Sequence, residues 1–206
     1  MRILLTGAAG FIGYHLCSRL LADGHRVVGC DNYNDYYYPG LKRARDAILG
    51  RSADYVSVNI DLCRAPDLEQ VFVEHEPELV IHLAAQAGVR FSISDVDSYV
   101  RSNLVAFVTL IEIVRRRQIP RLIYASSSSV YGERPEMPCR ETQRTDTPTS
   151  LYAATKRSNE LIAHTYSHQF GIQTIGLRFF SIYGPWGRPD MAYWTFSERI
   201  LAGEPI

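Results

Sequence analysis

The chain has 206 residues, 46% hydrophobic and 21% charged, with 22 Lys plus Arg against 22 Asp plus Glu. A composition of this kind excludes a disordered tail, a collagenous repeat and a mini-protein that needs staples. A net charge of zero lacks the basic field of non-specific nucleic-acid binders, and no apolar run reaches the roughly 18 residues of a membrane span.

The elements alternate along the chain. A buried strand is predicted over residues 2–6, a helix over 11–23 and a strand over 25–31. A Tyr/Asn-rich loop leads to a helix over 41–49. Next come a strand over 55–59, a helix over 65–76 and a strand over 79–84. A long helix is predicted over 95–118, then a strand over 121–126. The stretch 132–150 has no period and reads as a surface excursion over the carboxyl ends of the strands. A second long helix covers 151–170, followed by a strand over 173–178 and a helix over 193–202. Strands alternating with helices predict a Rossmann-like, doubly wound α/β domain with a parallel sheet. The four cysteines, at 17, 30, 63 and 139, show no CxxC spacing and read as free thiols in a reducing cytoplasm. The N-terminus has no signal-peptide order.

Gly7-Ala8-Ala9-Gly10-Phe11-Ile12-Gly13 stands between the first strand and the first helix. Such a loop lets backbone approach a pyrophosphate at a helix N-terminus, where free amides favour an anion. Asp31 closes the second strand, where its carboxylate can accept from adenosine ribose hydroxyls and repel a 2′-phosphate, which favours NAD over NADP. Asp61-Leu62 after the third strand either flanks the adenine or caps a helix.

Ser127 lies in a serine run after a strand, and Tyr152 and Lys156 are four apart, hence on one helix face. Ser150 reads as an N-cap that puts Tyr152 in the first turn. The dipole and the ammonium are expected to pull the phenol pKa down from about 10. This is the equipment for general acid–base chemistry at a carbinol beside a hydride acceptor.

GAAGFIG, HLAAQAGVR, ASSSSVYG, YAATK and LRFFSIYGPWGRPDMA together resemble the extended short-chain dehydrogenase/reductase superfamily, NAD-dependent epimerase/dehydratase type. DNYNDYYYPGLKRAR and GPWGRPDMA resemble its UDP-glucuronate 4-epimerase branch. The resemblance implies an NAD-dependent nucleotide-sugar epimerase of polysaccharide biosynthesis, acting on a UDP-sugar. It implies that Gly7, Gly10, Phe11, Ile12, Asp31, Asn32, Leu62, Leu83, Ala84, Ala85, Asn103, Tyr152, Lys156 and Phe179 line NAD, with Gly13 and Asp61 added from the loop readings above. It implies that Ser127 and Tyr152 serve the sugar hydroxyl. Residues 1–180 are then the NAD-binding domain and 181–206 the start of a smaller C-terminal substrate-binding region, which relatives continue. A chain stopping there is expected to keep its cofactor site and bind UDP-sugar poorly.

The candidate substrate residues are Arg90, Ser128, Ser181 and Arg188. Arg188 offers a planar fork for a carboxylate, or else it pairs with Asp190 or Glu198 and orders its loop. Arg90 reaches a phosphate or sugar, or forms a salt bridge. No metal set is read: His164 and His168 are four apart on a helix but lack a third ligand. The alternatives are a 4,6-dehydratase, a decarboxylase of the 4-keto uronate and a non-catalytic NAD-binding fragment. The dehydratase is disfavoured because Ser128 and Ser129 stand where its acid pair belongs. A dimer is expected because Tyr99, Val100, Leu104, Ala106, Phe107, Leu110, Ile111, Ile113 and Val114 spread an apolar arc over half of the helix over 95–118, wider than one sheet contact needs. That excess would pack with the helix over 151–170 against a partner's copies as a four-helix contact.

Overall fold

The computed structural model describes residues 1–89, 91–133 and 137–206. Six parallel strands form one sheet in the order β3-β2-β1-β4-β5-β6. They are β1 (Arg2–Thr6), β2 (Arg26–Asp31), β3 (Tyr55–Asn59), β4 (Leu79–His82), β5 (Arg121–Ser127) and β6 (Gln173–Phe179). β1 pairs on one side with β2, Leu4 opposite Val28, and on the other with β4, Leu4 opposite Val80. The chain runs outward from β1 to β3, then crosses back to β4. The reversal leaves a crevice at the carboxyl ends of β1 and β4, where doubly wound folds bind ligands.

Side chains alternate across a strand, so each strand feeds two layers. Leu4, Val28, Val80 and Leu122 face one core with α3 (Ala65–His75), α5 (Ala106–Arg116) and α6 (Leu151–Phe170). Ile3, Leu5, Val27 and Ile81 face the other with α1 (Phe11–Ala22) and α2 (Pro39–Leu49). The sheet is thus covered on both faces, which explains why its central strands are continuously apolar.

Two expectations change. The helix over 95–118 is not uniform: α4 (Val96–Tyr99) passes through a π-helical segment, Val100–Val105, before α5. Such i→i+5 segments are rare and concentrate at functional sites. The wide apolar arc is also largely consumed within the chain. Tyr99, Ala106, Phe107, Leu110, Ile111, Ile113 and Val114 are all buried here, most of them between the sheet, α3 and α6. Outside the arc, Val96, Val105 and Val108 are the large apolar side chains exposed on this stretch, with Leu161 exposed on α6.

The carboxyl-terminal stretch differs. β6 is the sheet edge, with Ile175 and Leu177 exposed, and α7 (Ala192–Ala202) buries no residue.

Candidate active site

A cleft of ≈ 1070 Å³ opens at the crevice and runs from the glycine loop to the turn after β6. At one end lie Gly7, Gly10, Phe11, Ile12 and Gly13, with Asp31 and Asn32 beyond them. The loop has room only for glycine at Gly7, which takes φ +73° and where a Cβ would sit 2.6 Å from the Ala84 nitrogen. α1 begins at Gly10 without a side-chain cap, which leaves its first amides for a ligand. This cradle suits a pyrophosphate.

The Asp31 carboxylate accepts from Ala9 N at 3.1 Å and Tyr33 N at 2.9 Å, fixing the glycine loop to the end of β2. Burial raises its pKa, while the Tyr33 amide, the Lys42 ammonium and the Ala9 amide pull it back. An ionised carboxylate has about four acceptor sites, so two remain for ribose hydroxyls. Asp61 and Leu62 also line the cleft. Asp61 does not cap α3, whose N-cap is Arg64; its Oδ1 instead accepts from Cys63 N at 2.9 Å.

Leu83, Ala84 and Ala85 line the floor after β4, and Phe179 lines it at the end of β6. Asn103 does not line the cleft. It is buried in the π-helical segment, where its Oδ1 accepts from Gln86 N at 2.8 Å and its Nδ2 donates to Gln86 O and to Thr155 Oγ1, both at 3.0 Å. Thr155 Oγ1 in turn donates to Tyr152 O at 2.8 Å. Asn103 therefore braces the floor against α6 from behind.

Ser127, Tyr152 and Lys156 converge on the same cleft. Ser150 caps α6 by accepting from Ala153 N at 3.1 Å, which sets Tyr152 in the first turn. The phenol lies within the influence of the Ser127 hydroxyl, which lowers its pKa, and meets Tyr99 edge-on, ring centroids 6.2 Å apart. Its pKa is nevertheless raised, against expectation: burial outweighs the Ser127 hydroxyl and the Arg188 charge, and Lys156 is not among the charges that act on it. The buried Lys156 donates from Nζ to Ala125 O at 3.0 Å, and burial brings its pKa down to about 8. Its ammonium contributes, after burial, to holding His82 at about 3. His82 is a packed residue whose Nδ1 meets Thr6 Oγ1 at 2.7 Å.

Behind the serines, Glu160 takes Ser126 Oγ at 2.6 Å, Arg157 Nη1 at 2.9 Å and the Arg178 fork at 2.8 and 3.0 Å. This knot ties α6 to β5 and β6 on the far side of the catalytic candidates.

Ser128, Ser181 and Arg188 line the cleft, whereas Arg90 lies outside the described residues. Arg188 is forked onto Asp190, Nε to Oδ1 at 3.0 Å and Nη2 to Oδ2 at 2.5 Å, the pairing the sequence offered as the other reading. Tyr36 OH donates to Asp190 Oδ2 at 3.1 Å. Among the three consecutive tyrosines, Tyr36 and Tyr37 wall the cleft and Tyr38 is exposed. Lys42, Asn34 and Gln86 also line it and were not singled out by sequence. Lys42 Nζ donates to Asn34 O at 2.8 Å and to its Oδ1, and Asn34 Nδ2 donates to Gln86 Oε1 at 3.2 Å. These three lie within stretches that carry the family resemblance, DNYNDYYYPGLKRAR and HLAAQAGVR, but the helical spacing of LKRAR looks like a solvated face and named no role for them.

Residues 3–206 match the model of the NAD dependent epimerase/dehydratase family. The chain belongs to that family. It is 51% identical over 205 residues to UDP-glucuronate 4-epimerase 3 of Arabidopsis thaliana, covering 99% of this chain and 47% of the plant protein. A crystal structure of UDP-Glucuronic acid 4-epimerase from Bacillus cereus in complex with UDP-Glucuronic acid and NAD matches with TM-score 0.92 at 35% identity, over 100% of this chain and 64% of that one. The UDP-glucose 4-epimerase of Thermus thermophilus in complex with NAD matches at TM-score 0.88 and 33% identity, over 100% and 64%. The chain spans about half the length of the plant relatives it matches.

Proposed function

We propose that the protein is a NAD-dependent nucleotide-sugar epimerase that inverts C4 of a UDP-hexuronate, UDP-glucuronate first, through a 4-keto sugar. The observation that carries this reading is the convergence of Ser127, Tyr152 and Lys156 on a cleft whose other end is a glycine cradle closed by Asp31. The glycine loop would hold the pyrophosphate, Asp31 the adenosine ribose, and Leu83–Ala85 and Phe179 the rest. NAD bound there supplies a hydride acceptor and donor and a cationic ring. Tyr152 takes the 4-hydroxyl proton, with the Ser127 hydroxyl on the same cleft placed to relay it. Lys156, held by Ala125 O, places a positive charge at the same wall. Once the keto sugar has rotated so that the opposite face of C4 would receive the hydride back, Tyr152 returns the proton to the C4 oxygen, and C4 is inverted. The phenol is raised by burial in this site, so a nearby cationic ring favours the phenolate that the first step needs.

The uronate is supported by the plant and Bacillus relatives and by Arg188, which lines the cleft beside Ser181. For Arg188 to hold a carboxylate, the sugar must compete with Asp190 for the fork. Holding the carboxylate also opposes carbon dioxide loss from the 4-keto stage. Dehydration is disfavoured because Ser128 and Ser129 line the cleft and neither is an acid. The reading treats residues 1–180 as the NAD-binding domain and 181–206 as the beginning of the substrate-binding region. It includes a homodimer through α5 and α6, supported by exposed Val105, Val108 and Leu161 and tested by light scattering for twice the chain mass. It also includes action in the cytoplasm, which suits four free cysteines. No helix among the described residues is long and apolar enough to cross a membrane.

The test is incubation with NAD and UDP-glucuronate, with products resolved by NMR. The C4 epimer is expected; a pentose and carbon dioxide would make the protein a decarboxylase. A comparison of Arg188→Ala on UDP-glucuronate and on UDP-glucose tests the uronate. A loss confined to UDP-glucuronate supports the carboxylate role, and equal losses return Arg188 to loop scaffolding.

A further inference from the structure

Arg45 of α2 is completely buried, and its four hydrogen-bond acceptors are all uncharged oxygens. Nη1 donates to Ala9 O at 3.1 Å and Tyr37 OH at 2.7 Å. Nη2 donates to Trp186 O at 2.6 Å and Gly187 O at 3.3 Å, and Nε is buried without a partner. A buried charge is costly unless well compensated, and apolar replacements of comparable volume are often as stable. The packing of α2 does not call for a guanidinium here. What it does, and an apolar side chain cannot, is join two distant segments.

One segment is the glycine loop, through Ala9, whose own amide bonds Asp31. The other is the turn after β6, directly before Arg188. That turn is under backbone strain: Trp186 takes φ +61°, in the left-handed region that residues with a Cβ rarely enter. The left-handed residue is the one whose carbonyl receives the shortest of the four bonds. Tyr37, the third partner, is a wall of the cleft. His15 and Tyr14 of α1 also touch the turn, through Pro185 O at 2.8 Å and the Trp186 ring at 5.8 Å, and Tyr14 N bonds Gly10 O at 2.9 Å, but Arg45 is the side chain that itself hydrogen-bonds both segments.

We propose that Arg45 is a positioning residue that couples the dinucleotide loop to the turn carrying Arg188, so that filling the cofactor end orders the sugar end. The inference rests on NAD occupying the cleft. A ligand that fixes the glycine loop fixes Ala9 O, which holds Arg45 in the geometry that grips Trp186 and Gly187. Arg188 is then presented to the cleft before any sugar arrives. By linkage, the turn stabilises NAD binding by the same factor.

The test is amide hydrogen exchange of the peptide covering 184–191 in the whole chain, with and without NAD at saturation, alongside calorimetric titration of NAD. In the parent, NAD is expected to slow exchange in this peptide by about tenfold, a typical coupling between two sites. In Arg45→Met, NAD still binds, weakened by no more than that factor, and the NAD-dependent slowing is lost. Arg45→Lys serves if the Met variant does not fold, since one ammonium cannot span Ala9 and Trp186, and it is expected to lose most of the slowing. A merely structural Arg45 would speed exchange with and without NAD alike and leave the NAD effect intact, which overturns the proposal. So does a parent that binds NAD with no protection at 184–191. A parent showing no NAD binding by calorimetry overturns the cofactor reading itself, and this coupling with it.

Discussion

The glycine-loop half and the stretch from β6 onward are held by opposite means. Around β1, β2 and β4 the strands are buried on both faces, and Leu4 and Leu5 are sealed between helices. From β6 onward the large apolar side chains are mostly exposed, and the chain is pinned by polar ties: Arg178 to Glu160, Arg188 to Asp190, Arg45 to Trp186. Burial is non-directional and roughly proportional to area, whereas hydrogen bonds fix orientation and exchange against water at little net gain. Among the described residues the first half is held mainly by burial and the second mainly by polar ties, and the cleft lies between them.

The largest expected effect lies where the two halves meet. Tyr152→Phe keeps the ring packed against Tyr99 but removes the proton acceptor. UDP-glucuronate turnover should fall by about 10²–10⁴, as for loss of a general base, with NAD affinity nearly unchanged by calorimetry. Near-normal turnover would remove Tyr152 from the chemistry.

The contrast in cohesion is sharpened by a pair of truncations read by urea unfolding. Phe107→Ala in the sealed core should cost about 3–5 kcal/mol. Leu201→Ala on α7, where the side chain is 89% exposed, should change stability by less than about 0.5 kcal/mol. Similar costs would break the comparison.

The pH dependence of stability tests the buried Lys156. Its folded pKa of about 8 lies below the ordinary 10.5, so between those values the unfolded chain binds the extra proton. Stability should rise with pH across that window, and Lys156→Met should flatten the rise in thermal melts. An unchanged slope would show that the ammonium is not desolvated in the fold.

The smallest effect concerns cofactor choice. Asp31 should make NAD bind more tightly than NADP, and Asp31→Ala should lower NAD affinity by about tenfold, one charge-assisted contact or so. Lys42 beside Asp31 is the cation that would blunt the preference, and equal affinity of the parent for both cofactors would sink this role of Asp31.

Much of this was legible in the sequence because it is written in local patterns. Arg2–Thr6 and Leu79–His82 are apolar runs too short for helices, and Ser150 is a cap with an amphipathic helix behind it. The glycine spacing and the Tyr152/Lys156 pair are likewise local. What was not legible depends on partners far along the chain. Lys42 and Arg45 read as the polar face of a surface helix, because only the folded chain brings the Asn34, Ala9 and Trp186 carbonyls to them. The π-helical segment carries no sequence mark, and Asn103 reads as a ligand contact until Gln86 and Thr155 claim its amide. How much of the apolar arc the chain itself covers is not legible for the same reason: only the folded chain brings α3 and α6 over it from two sides.

The strand order has a consequence for how the chain is made. β1 occupies the middle of the sheet, yet its partner β4 is far downstream, Thr6 and His82 being 76 residues apart. At the usual roughly 5–20 residues per second of synthesis, β1 waits on the order of 4–15 s after leaving the ribosome before its second edge can pair. During that interval β2 can join it on one side only, and Ile3-Leu4-Leu5 present an open apolar edge. The interior of the finished sheet is thus, for a nascent chain, the segment most in need of a chaperone's cover.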